Sequence, residues 1–316
     1  MATYKEVIGT AVQNVAGDPS NPVEGEVWYN SSTGAFKFSA GTLSTAWATS
    51  GNTNTARGYT AGAGTQEAAI NFGGQPTPAA TELYNGSNWT EVNDLNTGRK
   101  ELAGCGASNT AALAFGGQPI SALTETWNGT NWTEVNDMGT GRYGLGGNGT
   151  QTAALVYGGF NNPAGGGQAR TEKWNGTNWT EVNDLNNARY YITGAGTNTA
   201  ALAFGGQSSS QTELWNGTNW TNVNAMNTAR GFCGGAGPSN TSALVFGGNS
   251  PSPVKALTED WNGTNWTEVN DLNVARYGLA GAGTKTAALA FNGLPAAGGA
   301  TEEYATRGGT KTITTT

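Results

Sequence analysis

Histidine is absent from this 316-residue chain, which removes the imidazole that Ser-His-Asp and Cys-His catalysis and most zinc and copper sites require. Cysteine occurs only at positions 105 and 233, too few for a disulfide framework. Charged residues make up 12% of the chain and the net charge is −7, so the basic footprint of a nucleic-acid binder is missing. No run of 18 apolar residues occurs, which excludes a spanning helix and with it membrane insertion of that kind. The first residues lack the charged-then-apolar pattern of a secretory signal, and the expectation is synthesis in a host cytoplasm without export. Helical periodicity is never sustained over a whole helix, so essentially no helix is expected.

What the chain has instead is glycine, tryptophan and a repeat. An arginine recurs as Arg57, Arg99, Arg142, Arg189, Arg230 and Arg276, a period of about 40 to 50 residues that signals an array of small supersecondary units. Each Arg is followed by a Gly-rich stretch, an Ala/Leu run ending in Phe72, Phe115, Tyr157, Phe204, Phe246 or Phe291, a loop, Thr-Glu, and then Tyr84, Trp127, Trp174, Trp215, Trp261 or Tyr304. A second Trp follows in five units, at Trp89, Trp132, Trp179, Trp220 and Trp266. Each unit reads as four short strands, with the Asn-Gly between the paired aromatics predicting a type I′ hairpin turn. A unit this small cannot bury its own faces, and radial packing of several such sheets solves that. The fold class expected is therefore all-β, a six-bladed β-propeller with four antiparallel strands per blade.

Trp47 precedes Arg57 by the same gap that separates Trp89 from Arg99, so it reads as a fourth strand without a blade, whereas the sixth unit has Tyr304 and no following Trp. The N-terminal strand is expected to complete the C-terminal blade; Lys311–Thr316 is the competing candidate. This divides the chain into residues 1–46, an attachment and hairpin segment, and 47–316, the propeller with its C-terminal tail. Six Args matched by Glu82, Glu125, Glu172, Glu213, Glu259 and Glu302 favour a ladder of structural ion pairs over anion binding. Asp94, Asp137, Asp184 and Asp271 are weighed as Ca²⁺ ligands and read as turn residues, because the fifth copy has Ala225. Asn128 and Asn131 lie in glycosylation sequons and are likewise read as turn residues. Cys105 and Cys233, on inner strands of opposite blades, are expected to be free thiols.

This unit of Arg, apolar strand, Gly-Gly, Tyr or Trp, then Trp resembles the kelch family over residues 47–316; the WD40 propeller fits worse, since its Gly-His and Trp-Asp signatures are missing. More narrowly, Met1-Ala-Thr-Tyr-Lys-Glu, the segment from Pro22 to Phe38 and the Gly/Thr/Asn-rich blades resemble kelch-type virion proteins of marine, especially cyanobacterial, bacteriophages. That resemblance implies a tail-associated protein of the particle surface, located in the virion and bound to other virion proteins. The copper chemistry of galactose-oxidase-like kelch proteins loses its imidazoles here, and most carboxylates fall at repeat positions, so neither an enzyme nor a cofactor is expected.

Variation concentrates in the loops between Gly-Gly and Thr-Glu, at 75–80, 118–123, 160–170, 207–211, 249–257 and 294–300. Loops carry function while tight turns hold a scaffold, so these loops are expected to contact a host-surface glycan or protein. The candidate ligand contacts are Asn161, Asn162, Gln168, Arg170, Ser208, Gln211 and Lys255, pointing away from residues 1–46, which dock to the particle or to sister subunits. A purely structural capsid-decoration or fibre subunit, and a carbohydrate-binding lectin outside a virion, are the alternatives.

Overall fold

Short β-prone runs interrupted by glycine become strands, and no helix forms among the described residues. The computed structural model describes residues 12–19, 26–161, 166–249, 253–295 and 299–312, without the side chains of 39–44 and 306–312. Two compact units are distinguished: residues 1–46 with 306–316, and Trp47–Ala305.

In the larger unit, each of the first five repeats is a four-stranded antiparallel sheet in sequence order. The first comprises Ala61–Gly64, Ala69–Phe72, Thr81–Tyr84 and Trp89–Val92. The next four begin at Ala103, Gly146, Thr193 and Gly234. A sixth sheet holds Ala280–Thr284, Ala287–Phe291 and residues 301–305, and beside the last lies the strand carrying Trp47. Trp47 packs on Tyr304, 5.1 Å between ring centroids, and Ser50 Oγ donates to Glu303 Oε1 at 2.9 Å. The alternative strand, Lys311–Thr316, lies partly outside the described residues.

One contact pattern joins each sheet to the preceding one. The fourth-strand Trp of one sheet meets the second-strand aromatic of the sheet before: Phe72–Trp132, Phe115–Trp179, Tyr157–Trp220, Phe204–Trp266, Phe246–Trp47 and Phe291–Trp89, all at 4.9 to 5.2 Å. The same six indoles donate Nε1–H to a Thr Oγ1 that opens the third strand of that preceding sheet, at 3.0 to 3.1 Å. Burying an indole is worth several kcal/mol only when its N–H finds a partner, and the Thr of each Thr-Glu supplies it. The first strands also neighbour one another in sequence order, with Ala280–Thr284 against Ala61–Gly64.

The hairpin turns differ from expectation. Trp127 pairs directly with Trp132, leaving a four-residue loop in which Gly129 alone has positive φ, at 93°. A two-residue type I′ turn needs two such residues. Instead, Asn128 Oδ1 accepts the N–H groups of Thr130 and Asn131, both at 2.9 Å, so its side chain closes the loop that a second left-handed residue would otherwise close. The copies at Asn85, Asn175, Asn216 and Asn262 do the same.

In the smaller unit, Val27–Asn30 pairs antiparallel with the start of the strand Ala35–Ser50, forming a hairpin within the segment 1–46 where one is expected. Gln13–Val15 adds a parallel strand that the sequence did not suggest. Asp18 ties the hairpin together, accepting from Lys37 Nζ at 2.9 Å and Asn30 Nδ2 at 2.6 Å, and those bonds hold its carboxyl below the usual range.

Candidate functional site

Each repeat Arg is buried and meets the Glu of its own unit, from Arg57–Glu82 at 2.9 Å to Arg276–Glu302 at 3.1 Å. Burial pushes the guanidinium of Arg57, Arg99, Arg142, Arg189 and Arg276 down, and the paired Glu opposes that shift. The pairing is common to all six, but the forks are used differently, and Arg142 makes no hydrogen bond from its guanidinium among the described residues. In Arg57 and Arg99, Nη2 takes the Glu and Nη1 reaches two backbone carbonyls. In Arg230, Nη1 serves both Glu259 and Thr228 O, the latter at 3.2 Å, and Nη2 is enclosed without an acceptor among the described residues. The expected ladder of ion pairs therefore holds at all six positions, whereas equivalent hydrogen bonding does not.

The second oxygen of each Glu accepts a backbone N–H just upstream of the Arg, such as Asn96 to Glu125 at 2.7 Å. Each Glu thus ties the Arg and the segment before it to the sheet, with Glu172 Oε1 and Glu302 Oε1 at ion-pair distance from their Arg but without a hydrogen bond, and the pairs are scaffold. Asp94, Asp137, Asp184 and Asp271 each accept the N–H of the Thr that begins the third strand, at 2.9 to 3.1 Å, which is a turn role. Among the described residues no group of three or more Cys, Asp or Glu could hold a metal.

By fixing the entering segment, the Arg fixes the residue two positions on. These residues are Tyr59, Glu101, Gly144, Tyr191, Phe232 and Gly278, and all six have φ between 55° and 62°. Their backbones form a cycle: Glu101 N–H donates to Tyr59 O, Gly144 to Glu101, Tyr191 to Gly144, Phe232 to Tyr191, Gly278 to Phe232 and Tyr59 to Gly278, at 2.6 to 3.2 Å. Glycine suits this conformation, whereas a Tyr, Glu or Phe held there costs about 1 kcal/mol or more. The two glycines also make room, because a Cβ on Gly144 would lie 2.7 Å from the Tyr191 ring and one on Gly278 would lie 2.9 Å from that of Tyr59.

The four larger side chains line a cavity of about 150 Å³ whose wall is the first strands of all six sheets. Tyr191 stacks on Phe232 with centroids 3.6 Å apart, and Tyr59 stands edge-on to Phe232 at 5.3 Å. Tyr277 meets both Tyr59 and Phe232 at 6.0 Å. Burial pushes the Tyr59 and Tyr191 phenols well up, so both are neutral at ordinary pH. Glu101 is the one carboxylate of the lining. Burial raises its pKa against the pull of Lys100, and its Oε2 is enclosed without a hydrogen-bond partner. Lys100 Nζ turns instead to Gln75 Oε1 at 2.9 Å, with the Tyr59 ring 5.9 Å away. Cys233 lines the same cavity with its thiol pushed up to about 11 by burial, so it is neutral and a poor nucleophile. Cys105 is also buried, and both thiols are free.

None of the loop residues expected to bind a ligand lines this cavity. Asn162 lies outside the described residues. Arg170 pairs with Glu181 at 2.8 Å, both well exposed, and Gln211 Oε1 accepts from Arg189 at 3.4 Å. Ser208 is exposed, and Asn161, Gln168 and Lys255 are partly buried in their loops. The ring at Arg plus two escaped the sequence analysis because its residue types differ from copy to copy. The legible signal was Gly144 and Gly278 in register with Tyr, Glu, Tyr and Phe, which marks a left-handed position tolerating side chains only under constraint.

No protein-family model matches this chain, and no curated protein matches it.

Proposed function

We propose that Trp47–Ala305 is a closed, six-bladed propeller of kelch type, with the Trp47 strand as the fourth strand of the last blade, and that it is a binding module without catalytic activity. The cyclic order of the Trp–Thr bonds and of the six backbone bonds supports closure. One observation carries the function: four bulky side chains are kept in left-handed backbone conformations around one cavity, at a position where two of the six copies use glycine. Strain of that kind, over-determined by the buried Arg–Glu pairs, is what a preorganised binding site stores. Hydrolysis of a glycoside by paired carboxylates needs two, and the lining offers one.

The likeness of the opening residues and of the segment from Pro22 to Phe38 to phage virion proteins supports a tail-associated location on a particle surface. In this reading residues 1–46 attach to other virion proteins, and the ligand is a host-surface glycan. Mass spectrometry of purified particles tests the location, with the protein expected among the structural components. A glycan array tests the binding: wild-type protein is expected to give hits that Phe232→Gly loses. Hits unaffected by that change, with the protein folded, would move recognition to the variable loops.

A further inference from the structure

The cavity's lining specifies the charge of what it takes. This argument rests on the cavity being the ligand site. Tyr59, Tyr191 and Phe232 line the cavity with aromatic surface, one face of Tyr191 and one of Phe232 being taken up by their mutual stacking, and the phenols are neutral. Glu101 brings one carboxylate whose Oε2 has no hydrogen-bond donor among the described residues. An enclosed carboxylate oxygen without a donor is costly, and Lys100, whose charge pulls the Glu101 pKa down, makes its hydrogen bond to Gln75 rather than to Glu101. No Lys or Arg lines the cavity to offset that charge. A neutral sugar would leave the charge uncompensated, and an anion would be repelled by it. A volume of about 150 Å³ suits a group of a few heavy atoms, such as a substituted ammonium head.

We propose that the axial cavity binds a small organic cation of the alkylammonium class, carried on a larger host-surface molecule, with Glu101 as counter-charge and the rings of Tyr59, Tyr191 and Phe232 as the cage. The aromatic faces hold the alkyl substituents while the carboxylate supplies the charge that they lack. Gly144 and Gly278 leave the cage rings their space, which is why the ring of six is not aromatic throughout.

Isothermal titration of the full chain with choline, and with 3,3-dimethylbutan-1-ol as its uncharged counterpart, tests this. The expected result is a preference for choline of about tenfold or more, reduced to within about threefold in Glu101→Gln, which melts no lower than the wild type. Phe232→Gly is expected to remove binding of both probes. Equal affinity for the two probes, a preference that survives Glu101→Gln, or no binding of either would overturn the assignment. These failures are separable from failure of the binding-module reading: array hits lost in Phe232→Gly alongside equal probe affinities leave a neutral-ligand site in the same cavity. Array hits indifferent to Phe232→Gly remove the cavity as a ligand site altogether.

Discussion

Glu101 is the residue at which binding and stability pull apart. Its raised pKa means that the folded protein binds a proton more tightly there than the unfolded chain does, so its contribution to stability falls as pH rises from the ordinary carboxylate range through the raised value. Lys100, Tyr59, Tyr143 and Tyr191 are the charged or titratable groups around it, and only Lys100 opposes the shift. Glu101→Gly relieves both the left-handed backbone and the enclosed carboxylate. It is expected to raise the melting temperature at pH 8, with a smaller gain at pH 4.5; a loss of stability at pH 8 contradicts the strain argument. The Arg positions behave oppositely. Arg142→Ala leaves Glu172 buried and uncompensated, and a loss of about 3–5 kcal/mol in denaturant unfolding is expected. A loss below about 1 kcal/mol would mean that water reaches the carboxylate.

Among the elements, the fourth strand carries its Trp onto the second and third strands of the preceding sheet. Thr171→Val keeps the shape of the third strand and deletes the acceptor for Trp220 Nε1, an enclosed donor; the expected cost is about 1–3 kcal/mol, read from chemical denaturation. The converse change, Trp220→Phe in the Thr171→Val background, is expected to recover part of it, because the orphan donor is gone. These strands were legible in the sequence since the same residues recur at the same offsets: Arg with Glu, Trp with the aromatic before Gly-Gly, and Asp before the loop. Recurrence identifies the partner and not the geometry, so the different use of the Arg230 fork could not be read from it. Nor can it reveal a position whose importance lies in differing from copy to copy. Tyr59, Glu101, Tyr191 and Phe232 share a backbone conformation and no side-chain chemistry, so a search for repeats passes over them. The hairpin was misread for a different reason: the Asn of Asn-Gly satisfies the turn with its side chain, and dipeptide statistics do not separate that from a left-handed Asn.

At the scale of the whole of Trp47–Ala305, the account depends on the last sheet being completed by the strand from the other end of the chain. Trp47 reaches both neighbours that the pattern requires, Phe246 in the fifth sheet and Tyr304 in the sixth. Trp47→Ala should therefore act like the loss of any core Trp, costing about 3–5 kcal/mol, although by sequence it stands outside the six repeats. In the proposed closed ring, the bond from Tyr59 N–H to Gly278 O, at 2.6 Å, joins the first repeat to the last and completes the wall of the cavity. Amide hydrogen exchange at Tyr59, Glu101, Gly144, Tyr191, Phe232 and Gly278 tests this most directly. The account predicts that all six amides are protected to the level of global unfolding, and that deleting residues 1–50 lowers the protection of all six together. Rapid exchange at Tyr59 in the intact protein, with the other five protected, would contradict it, since the first and last sheets would then meet only loosely and the cavity would have no closed wall.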